Sequence, residues 1–327
     1  MRKTSVTYGR LLFERFFNYF WYRETPGLLW LLWPLELVYT AFVARKRLDP
    51  RVEPMKPPCV VVGNVTVGGT GKTPVVIALV RYLQSKGLTV GVISRGYGRA
   101  TSGLLEVTRS SLVSDTGDEP MLIHRSCNVP VVVAEQRAMA YECLQDRVDV
   151  VLADDGLQHT GLRRSIEIAV VDKQRGFGNG HCLPLGPLRE PAARIRTVDH
   201  IIYRGSKSQG GAYLVPQDFY QDSGQTLSLE HMLAKHPLIE VVTAIGAPQR
   251  LQADLEALGF SVTLRAFPDH YQFNDQDFVN ARHAVVVTEK DAVKLPASVQ
   301  GVWVYRTQMR IPETTLTNFW TQLEALL

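Results

Sequence analysis

A chain of 327 residues can bury a large core and exceeds the usual size of one domain, so a large domain with a smaller one is expected. The composition, 45% hydrophobic and 21% charged, excludes general disorder. The net charge of +4 argues weakly for an anionic partner and does not by itself separate nucleic acid from a membrane. The four cysteines form no closely spaced pair, which argues against a zinc site or a redox dithiol.

The N-terminal stretch 11–47 differs from an ordinary globular start, because it is crowded with aromatic and leucine residues and flanked by basic ones. Its longest apolar part, 28–44, would be about 25 Å long as a helix, shorter than the roughly 30 Å of bilayer hydrocarbon. Pro34 and Glu36 lie near the middle of this part. We therefore favour a helix lying in the membrane interface over a transmembrane span, with a buried helical hairpin as the structural alternative.

From Cys59 onward, short β-branched runs alternate with helical stretches. The predicted strands are CVVVGN, LTVGVISRG, VPVVVA, VDVVLADDG, IEIAVVD and HIIYRG. Because these runs are continuously apolar, they predict a mostly parallel sheet covered by helices on both faces. In such doubly wound α/β folds, ligands bind at the carboxyl ends of the strands.

The segment GNVTVGGTGKTP, residues 63–74, follows the first predicted strand and precedes a helix predicted to begin near Pro74. In this context a glycine-rich turn ending in Lys-Thr is typical of a phosphate-binding loop, and it predicts a P-loop NTPase-like fold. Glycines let backbone N–H groups converge on an anion, Lys72 can reach the β- and γ-phosphates, and the Thr73 hydroxyl can ligate Mg²⁺. Thr66 stands where the usual pattern has glycine, so we predict a variant loop. The predicted nucleotide-binding residues are Thr66, Val67, Gly68, Gly69, Thr70, Gly71, Lys72 and Thr73.

A second site element is VVLADDGLQH, a predicted strand that ends in Asp154 and Asp155. P-loop enzymes use carboxylates in this position to hold Mg²⁺ directly or through water. The alternative is that the pair caps the next helix. Because a phosphate loop is predicted in the same sheet, we favour the metal role.

A kinase also needs a base near the acceptor hydroxyl and cations for the transferring phosphoryl group. DTGDEP offers Asp118 and Glu119, a long Gly- and Pro-rich loop carries Arg189, and FPDHYQF supplies Asp269 and His270 much later in the chain. Each alone is weak evidence, since a lone histidine is more often structural and GDEP also describes a turn.

Together these stretches resemble one family. GNVTVGGTGKTP, SRGYGR, GDEP, DDGLQH, LPLGPLREP, FPDHYQF and TEKDAVK occur in the order typical of the tetraacyldisaccharide 4′-kinases, the lipid A 4′-kinases of Gram-negative bacteria. GGTGKTP alone is shared with other P-loop proteins, whereas GDEP together with DDGLQ and TEKDAVK makes the match specific. The resemblance covers nearly the whole chain, and one departure is Ala247, where asparagine is expected.

The resemblance implies a kinase that transfers the γ-phosphate of ATP to the 4′-hydroxyl of a tetraacylated glucosamine disaccharide 1-phosphate, with ATP and Mg²⁺ as cofactors. It implies Asp118 as general base, with His270 paired to it. Arg189 is then expected near the transferring phosphate, where it and Lys72 hold charge in line. The implied residues around Mg²⁺ are Thr73, Glu119, Asp154 and Asp155.

A substrate with several acyl chains stays in the bilayer, because exposed hydrocarbon costs about 0.8 kcal/mol per CH₂. The resemblance therefore implies a peripheral or monotopic enzyme on the cytoplasmic face of the bacterial inner membrane. Arg95, Arg99 and the basic cluster 45–47 are expected to meet phosphates on lipid or substrate. The expected partners are the acylated disaccharide lipid and the membrane surface, with no nucleic acid and no obligate protein partner.

Four parts are predicted: membrane-associating helices at 1–50, a P-loop kinase core at 51–208, a smaller α/β domain at 209–311 and a C-terminal helix at 312–327. The prolines that end the first part and the Ser/Gly-rich RGSKSQGG indicate a linker and a hinge. If His270 meets the phosphate loop, the active site forms between two lobes whose closure would gate the chemistry.

Two other functions remain open. A membrane-associated P-loop ATPase or GTPase switch that binds a protein partner would use the same phosphate loop and Asp pair, although the sequence has no guanine-reading N-K-x-D. A soluble sugar or nucleoside kinase would use the hydrophobic start only for packing. TEKDAVK likewise has two interpretations, a nucleotide contact or a strand-to-helix turn with surface charges.

Overall fold

In the described part of the chain the structure, a computed structural model, has two β-sheets, one formed before residue 206 in the sequence and one formed after residue 210. We call each sheet with its covering helices the first and the second lobe. Pro50 and Pro54 of the predicted linker, and the centre of the predicted hinge, lie outside the described part of the chain. The described residues are 16–46, 55–159, 161–205 and 211–327.

The first sheet confirms the predicted α/β class. Its strands are β1 (Cys59–Gly63), β2 (Val90–Ser94), β3 (Leu105–Val107), β4 (Val131–Val133), β5 (Val150–Asp154), β6 (Ile166–Asp172) and β7 (His200–Arg204). Their order is β3-β4-β2-β5-β1-β6-β7, and every neighbouring pair except β3 and β4 is parallel. The central strands are buried along their whole length, as a sheet covered on both faces requires.

The first sheet separates two hydrophobic clusters. Val60 and Val62 of β1 belong to one cluster, whereas Cys59 and Val61 belong to the other, because successive side chains point to opposite faces. Helices cover both clusters, and one of them begins at Lys72, slightly earlier than the predicted start. The helices of this lobe are α2 (Lys72–Ser85), α3 (Val113–Thr116), α4 (Asp118–Cys127) and α5 (Arg137–Leu144), and the N-terminal segment contributes α1 (Trp33–Lys46).

The second sheet has six strands in the order β11-β10-β12-β13-β8-β9. These are β8 (Tyr213–Tyr220), β9 (Thr226–Ser228), β10 (Leu238–Thr243), β11 (Ser261–Ala266), β12 (Ala284–Thr288) and β13 (Trp303–Arg310). The strands β10 to β13 are parallel, while β8 is antiparallel to both β13 and β9. The helices of this lobe are α6 (Leu229–Lys235), α7 (Pro248–Ala257) and α8 (Glu289–Ala292).

The last helix, α9 (Glu313–Glu324), packs on the first lobe. Phe319 and Leu323 are buried in the cluster that α2 covers, and the Trp320 ring meets the Tyr82 ring edge-on at 6.5 Å between centroids. The chain therefore leaves the first lobe along β8 and returns along β13, so this antiparallel pair connects the lobes. The bounds of the four predicted parts remain predictions.

The N-terminal segment is attached to the loop that carries Arg189. Glu36 of α1 is 8% exposed, and its carboxylate accepts the backbone N–H of Cys182 at 2.6 Å and contacts His181 Nδ1 at 3.1 Å. The Tyr39 hydroxyl donates to the Arg189 carbonyl at 2.9 Å. Many large apolar side chains of the segment are nevertheless exposed, in disagreement with the buried-hairpin alternative. They include Leu28, Trp30, Leu31, Trp33, Leu35, Leu37, Val38 and Phe42.

TEKDAVK, residues 288–294, forms a strand-to-helix turn around the carboxylate of Asp291, which is fully buried. This carboxylate accepts the hydroxyls of Thr243 at 2.6 Å and Thr288 at 2.7 Å. It also pairs with the Lys294 ammonium at 2.9 Å. The turn is therefore fixed by a buried ion pair whose carboxylate also accepts two hydroxyls and the backbone N–H of Ala244.

Replacing Asp291 by alanine leaves the Lys294 ammonium buried without its counter-charge. We expect Asp291→Ala to lower the free energy of unfolding by about 3–5 kcal/mol, measured by urea denaturation. Asp222→Ala removes an exposed carboxylate of the same lobe and should stay within about 0.5 kcal/mol of the parent. Equal unfolding midpoints for the two variants would contradict the structural role of Asp291.

Candidate active site

A cavity of about 1460 Å³ lies between the lobes. The glycine-rich loop 67–73 lines one side, and residues that follow β11 and β12 line the other. Trp21 and Tyr22 of the N-terminal segment form a further part of the wall. The cavity thus lies at the carboxyl ends of the first-lobe strands, where the polar motifs of the sequence are concentrated.

The glycine-rich loop has the backbone geometry of an anion site. Gly68 and Gly71 have φ of +90° and +74°, a region that side chains disfavour. A Cβ atom at Gly71 would also lie 2.7 Å from Nε of Arg204. Helix α2 begins directly afterwards, so its positive end points at the loop. The predicted residues that line the cavity are Val67, Gly68, Gly69, Thr70, Gly71, Lys72 and Thr73.

Thr66 is placed differently from the rest of the predicted loop. It is 7% exposed, is not among the residues that line the cavity, and forms an isolated β-bridge with Leu188. Its carbonyl accepts the side-chain amide of Asn64 at 2.7 Å. The first position of the loop therefore tolerates a side chain, because the Thr66 side chain is buried and does not line the cavity. The direct nucleotide contact predicted for Thr66 gains no support from this position.

Asp155 lies between the two predicted phosphate-binding cations. Its Oδ1 is 3.1 Å from Lys72 Nζ, and Arg189 Nη1 contacts both carboxylate oxygens at 3.0 and 3.1 Å. Lys72 is held further by Asn64 Oδ1 at 3.0 Å. Burial would raise the pKa of Asp155, but the charges of Lys72 and Arg189 outweigh it and lower the pKa to about 2. The carboxylate is thus ionised and fixes both cations.

Asp154 has the opposite environment. It is 1% exposed, and neither of its carboxylate oxygens has a hydrogen-bond donor among the described residues. Burial and the charge of Glu119 raise its pKa. A buried carboxylate without donors is suited to a hard cation, and Thr73 and Glu119 offer oxygen atoms in the adjoining cavity.

The residues present fit Mg²⁺ that arrives with nucleotide phosphates. In the described ranges, no group of three or more His, Cys, Asp or Glu residues is arranged to hold an ion alone. Mg²⁺ usually binds through one or two carboxylates together with substrate phosphates and several waters. Asp154 and Glu119 satisfy that smaller requirement, whereas the Asp155 carboxylate is engaged by its two cations.

Asp118 and His270 come from different lobes and are in contact. His270 Nδ1 lies 2.9 Å from Asp118 Oδ2 and 3.1 Å from Oδ1. Asp118 begins α4, and His270 follows β11 with φ of +62°, a backbone conformation that persists only where the surroundings impose it. Burial would raise the pKa of Asp118, but the His270 hydrogen bond and the Lys290 charge lower it to about 2.

The sequence does not single out several residues that hold these groups. Gln158 donates to the Asn64 carbonyl at 2.9 Å, and the Arg137 guanidinium donates to the Asp155 carbonyl at 2.8 Å. Lys290 lies 3.2 Å from Asp269. Asn64, Gln158 and Lys290 belong to quoted motifs, but spacing alone assigns them no contact.

The arginines expected to meet lipid phosphates differ in exposure. Arg95 is exposed, but the Arg99 side chain is 3% exposed and its guanidinium pairs with Glu135 at 2.5 Å. Arg99 is therefore engaged by Glu135 in the first lobe, and its expected contact with a phosphate stays a prediction. In the cluster 45–47, Arg45 is exposed, and the other two side chains lie outside the described part.

A doubly wound sheet with a phosphate loop, an Asp pair and an interlobe carboxylate–histidine contact defines a P-loop protein with a site for chemistry on phosphate. The family model described as LpxK, Tetraacyldisaccharide-1-P 4'-kinase, matches residues 28–326, and the chain belongs to this family. This confirms the resemblance drawn from the motifs.

Relatives and a solved structure agree with this assignment. The Tetraacyldisaccharide 4'-kinase of Alcanivorax borkumensis is 43% identical over 311 residues, covering 90% of this chain and 93% of that protein. The one of Legionella pneumophila is 38% identical over 94% of this chain and 97% of its own length. A crystal structure of LpxK from Aquifex aeolicus in complex with ATP has a TM-score of 0.76 at 24% identity, covers 91% of this chain and 99% of that one, and supports the fold.

A substitution at Gly71 tests whether the loop binds nucleotide. We expect Gly71→Ala to weaken binding of a fluorescent ATP analogue at least about tenfold, because the positive φ and the Arg204 contact displace the loop. Gly98→Ala is the matched control, since Gly98 has φ of +77° with no atom within 4 Å of its added Cβ. Similar losses of affinity in both variants would contradict the prediction.

Proposed function

We propose that this chain is an ATP-dependent kinase that transfers the γ-phosphate of ATP to the 4′-hydroxyl of a tetraacylated glucosamine disaccharide 1-phosphate. The observation that carries this proposal is the Asp118–His270 contact at the cavity that the phosphate loop also lines. Membership of the family supports the choice of acceptor, because relatives 38–43% identical carry the name of this activity. It also supports ATP as the phosphate donor.

In this proposal Asp118 accepts the proton of the sugar hydroxyl as its oxygen bonds to the γ-phosphorus of ATP. The bond between that phosphorus and the oxygen that bridges to the β-phosphate breaks in the same displacement, and ADP leaves with the bonding electrons. A carboxylate with a pKa of about 2 is a weak base, so it takes the proton late in a loose transition state. Until then its charge orients the hydroxyl for in-line attack. The His270 hydrogen bond fixes the carboxylate and provides a partner that shares the proton.

At the other end of the cavity, the chain is proposed to hold the phosphates. Lys72, Arg189 and the loop N–H groups offset the negative charge of the transferring phosphoryl group. Because Asp155 already fixes Lys72 and Arg189, these cations need little rearrangement when substrate binds. When bound, Mg²⁺ supplies further neutralisation of phosphate charge, and the residues proposed to hold it are Thr73, Glu119 and Asp154. The metal role expected for Asp155 is not part of this proposal, because Lys72 and Arg189 engage its carboxylate.

The proposed location is the cytoplasmic face of the bacterial inner membrane, with the protein peripheral or monotopic. Gly27–Arg45 is long and apolar enough to cross a membrane by length and composition. Yet Glu36 and Tyr39 attach this helix to the first lobe, which favours a helix lying on the membrane surface. Because Trp21 and Tyr22 also line the cavity, the acceptor sugar is proposed to reach the site while its acyl chains stay in the bilayer.

Asp118→Asn tests the proposed base with a change of little volume. We expect turnover to fall by about 10²–10⁴-fold while affinity for an ATP analogue stays within about threefold. The assay uses labelled ATP, Mg²⁺ and the detergent-dispersed tetraacyl disaccharide 1-phosphate, and the position of the new phosphate is determined. Asp146→Asn, at an exposed site of the same lobe, should be unaffected.

Two results of this assay would count against the proposal. Unchanged turnover in Asp118→Asn would remove Asp118 from the mechanism. Hydrolysis of ATP by the parent protein that neither transfers phosphate to the lipid nor responds to it would favour the P-loop switch instead.

Acidic substitutions on the apolar surface of the N-terminal segment test membrane binding. Leu31 and Val38 are 85% and 69% exposed, so Leu31→Glu/Val38→Glu should leave folding intact. We expect the variant to float less with vesicles of phosphatidylethanolamine and phosphatidylglycerol, by about tenfold, because two charges must otherwise enter the interface. Leu112→Glu, at a position 64% exposed in the first lobe, should float like the parent, and equal flotation of all three proteins would argue against the proposed surface.

A further inference from the structure

The buried turn around Asp291 accounts for most of the TEKDAVK segment but assigns no role to Lys290. The Lys290 ammonium lies 3.2 Å from Asp269 Oδ1, 3.5 Å from Glu119 Oε1 and 3.6 Å from Asp118 Oδ2. Asp269 belongs to the second lobe, as Lys290 does, whereas the other two carboxylates belong to the first. A single cation of the second lobe therefore joins both lobes beside the proposed base.

The charge of Lys290 balances this cluster of carboxylates. The Lys290 ammonium contacts carboxylates of both lobes and offsets their negative charge. All three carboxylates lie within 3.6 Å of the Lys290 nitrogen, whereas the His270 ring lies 2.9 Å from Asp118 and 3.8 Å from Asp269. Without Lys290, Asp269 would be left facing two like charges of the other lobe.

Asp269 connects Lys290 to the backbone of His270. Its Oδ1 accepts the backbone N–H of His270 at 3.0 Å as well as the Lys290 ammonium at 3.2 Å. His270 has the positive φ described above, and this local hydrogen bond is one of the contacts that hold it there. The ring of His270 also contacts Tyr97 of the first lobe, at 5.3 Å between centroids.

Lys290 is itself held by a rigid element. It occupies the first turn of α8, next to Asp291, whose carboxylate is fixed by two hydroxyls and a buried ammonium. The Thr288 hydroxyl accepts the backbone N–H of Asp291 and caps the helix. The ammonium therefore starts from a preorganised backbone, which is the arrangement needed to place a charge to within a fraction of an ångström.

We propose that Lys290 is a positioning residue for phosphoryl transfer, which acts through Asp269 and Asp118. Its ammonium holds the loop that carries His270 against the first lobe and so sets the Asp118–His270 pair. This inference rests on the proposed kinase function. It also gives TEKDAVK a role distinct from a nucleotide contact, because Lys290 acts on turnover and leaves the affinity for ATP unchanged.

The test compares Lys290→Met, Lys290→Arg and the double variant Lys290→Met/Asp269→Asn with the parent. The measured quantities are kcat, the KM for ATP and for the lipid acceptor, and the affinity for a fluorescent ATP analogue. Lys290→Met should lower kcat on the order of 10²-fold while ATP affinity stays within about threefold. Lys235→Met, which removes an exposed lysine of the same lobe, should match the parent.

The other two variants separate charge from packing. Lys290→Arg keeps the cation and should recover about tenfold of the lost kcat, because the distances change but the charge balance remains. Asp269→Asn in the Lys290→Met background removes one of the like charges yet keeps an oxygen acceptor for the His270 N–H. It should raise kcat several-fold above that of Lys290→Met, an effect that loss of packing alone does not produce.

Three results would overturn the inference. The first is a kcat of Lys290→Met equal to that of the parent, and the second is a loss of ATP affinity that accounts for the whole defect. The third is a double variant no more active than Lys290→Met. If Lys290→Met fails to fold, the double variant and Lys290→Arg are each compared with the parent instead. Failure of the proposed function looks different, because the parent protein itself would then transfer no phosphate to the acceptor.

Discussion

The hydrogen bond between Asp118 and His270 is the interaction on which the arrangement of the site depends. Its two partners are 152 residues apart and belong to different lobes, so it exists only when the β8–β13 connection brings the lobes together. A carboxylate this well buried is costly unless it is paired and hydrogen-bonded. The second lobe supplies that compensation, and the geometry of the proposed base is therefore a property of both lobes.

The fold of the first lobe was largely predictable, because continuous apolar runs predict buried parallel strands and a glycine-rich turn predicts a loop between a strand and a helix. The sequence could not assign different environments to Asp154 and Asp155, two identical side chains at one strand end. The chain turns sharply at Asp155, where φ is +51°, so that its carboxylate meets Lys72 and Arg189 while that of Asp154 has no donor. That difference depends on tertiary contacts with loops elsewhere in the chain.

The same limit applies to Lys290 and Asp291, which are adjacent and charged but have unrelated surroundings. The buried Asp291 carboxylate accepts a hydrogen bond from Thr243 of β10, whereas Lys290 contacts Asp118 of the first lobe. The spacing of residues within TEKDAVK predicts neither of these contacts. Helix α9 is a similar case, since its periodicity predicts an apolar face but does not say which of two cores that face covers.

The attachment of α1 to the loop that carries Arg189 has a practical consequence for handling the protein. Glu36 and Tyr39 hold this loop from outside, and Arg189 in turn holds Asp155 inside the cavity. Trimming the chain at its amino end to improve solubility would therefore remove part of the scaffold of the active site. A loss of activity in such a shortened protein would therefore not measure the effect of lipid contact alone. Substitutions of exposed residues of the helix change lipid contact without removing this scaffold.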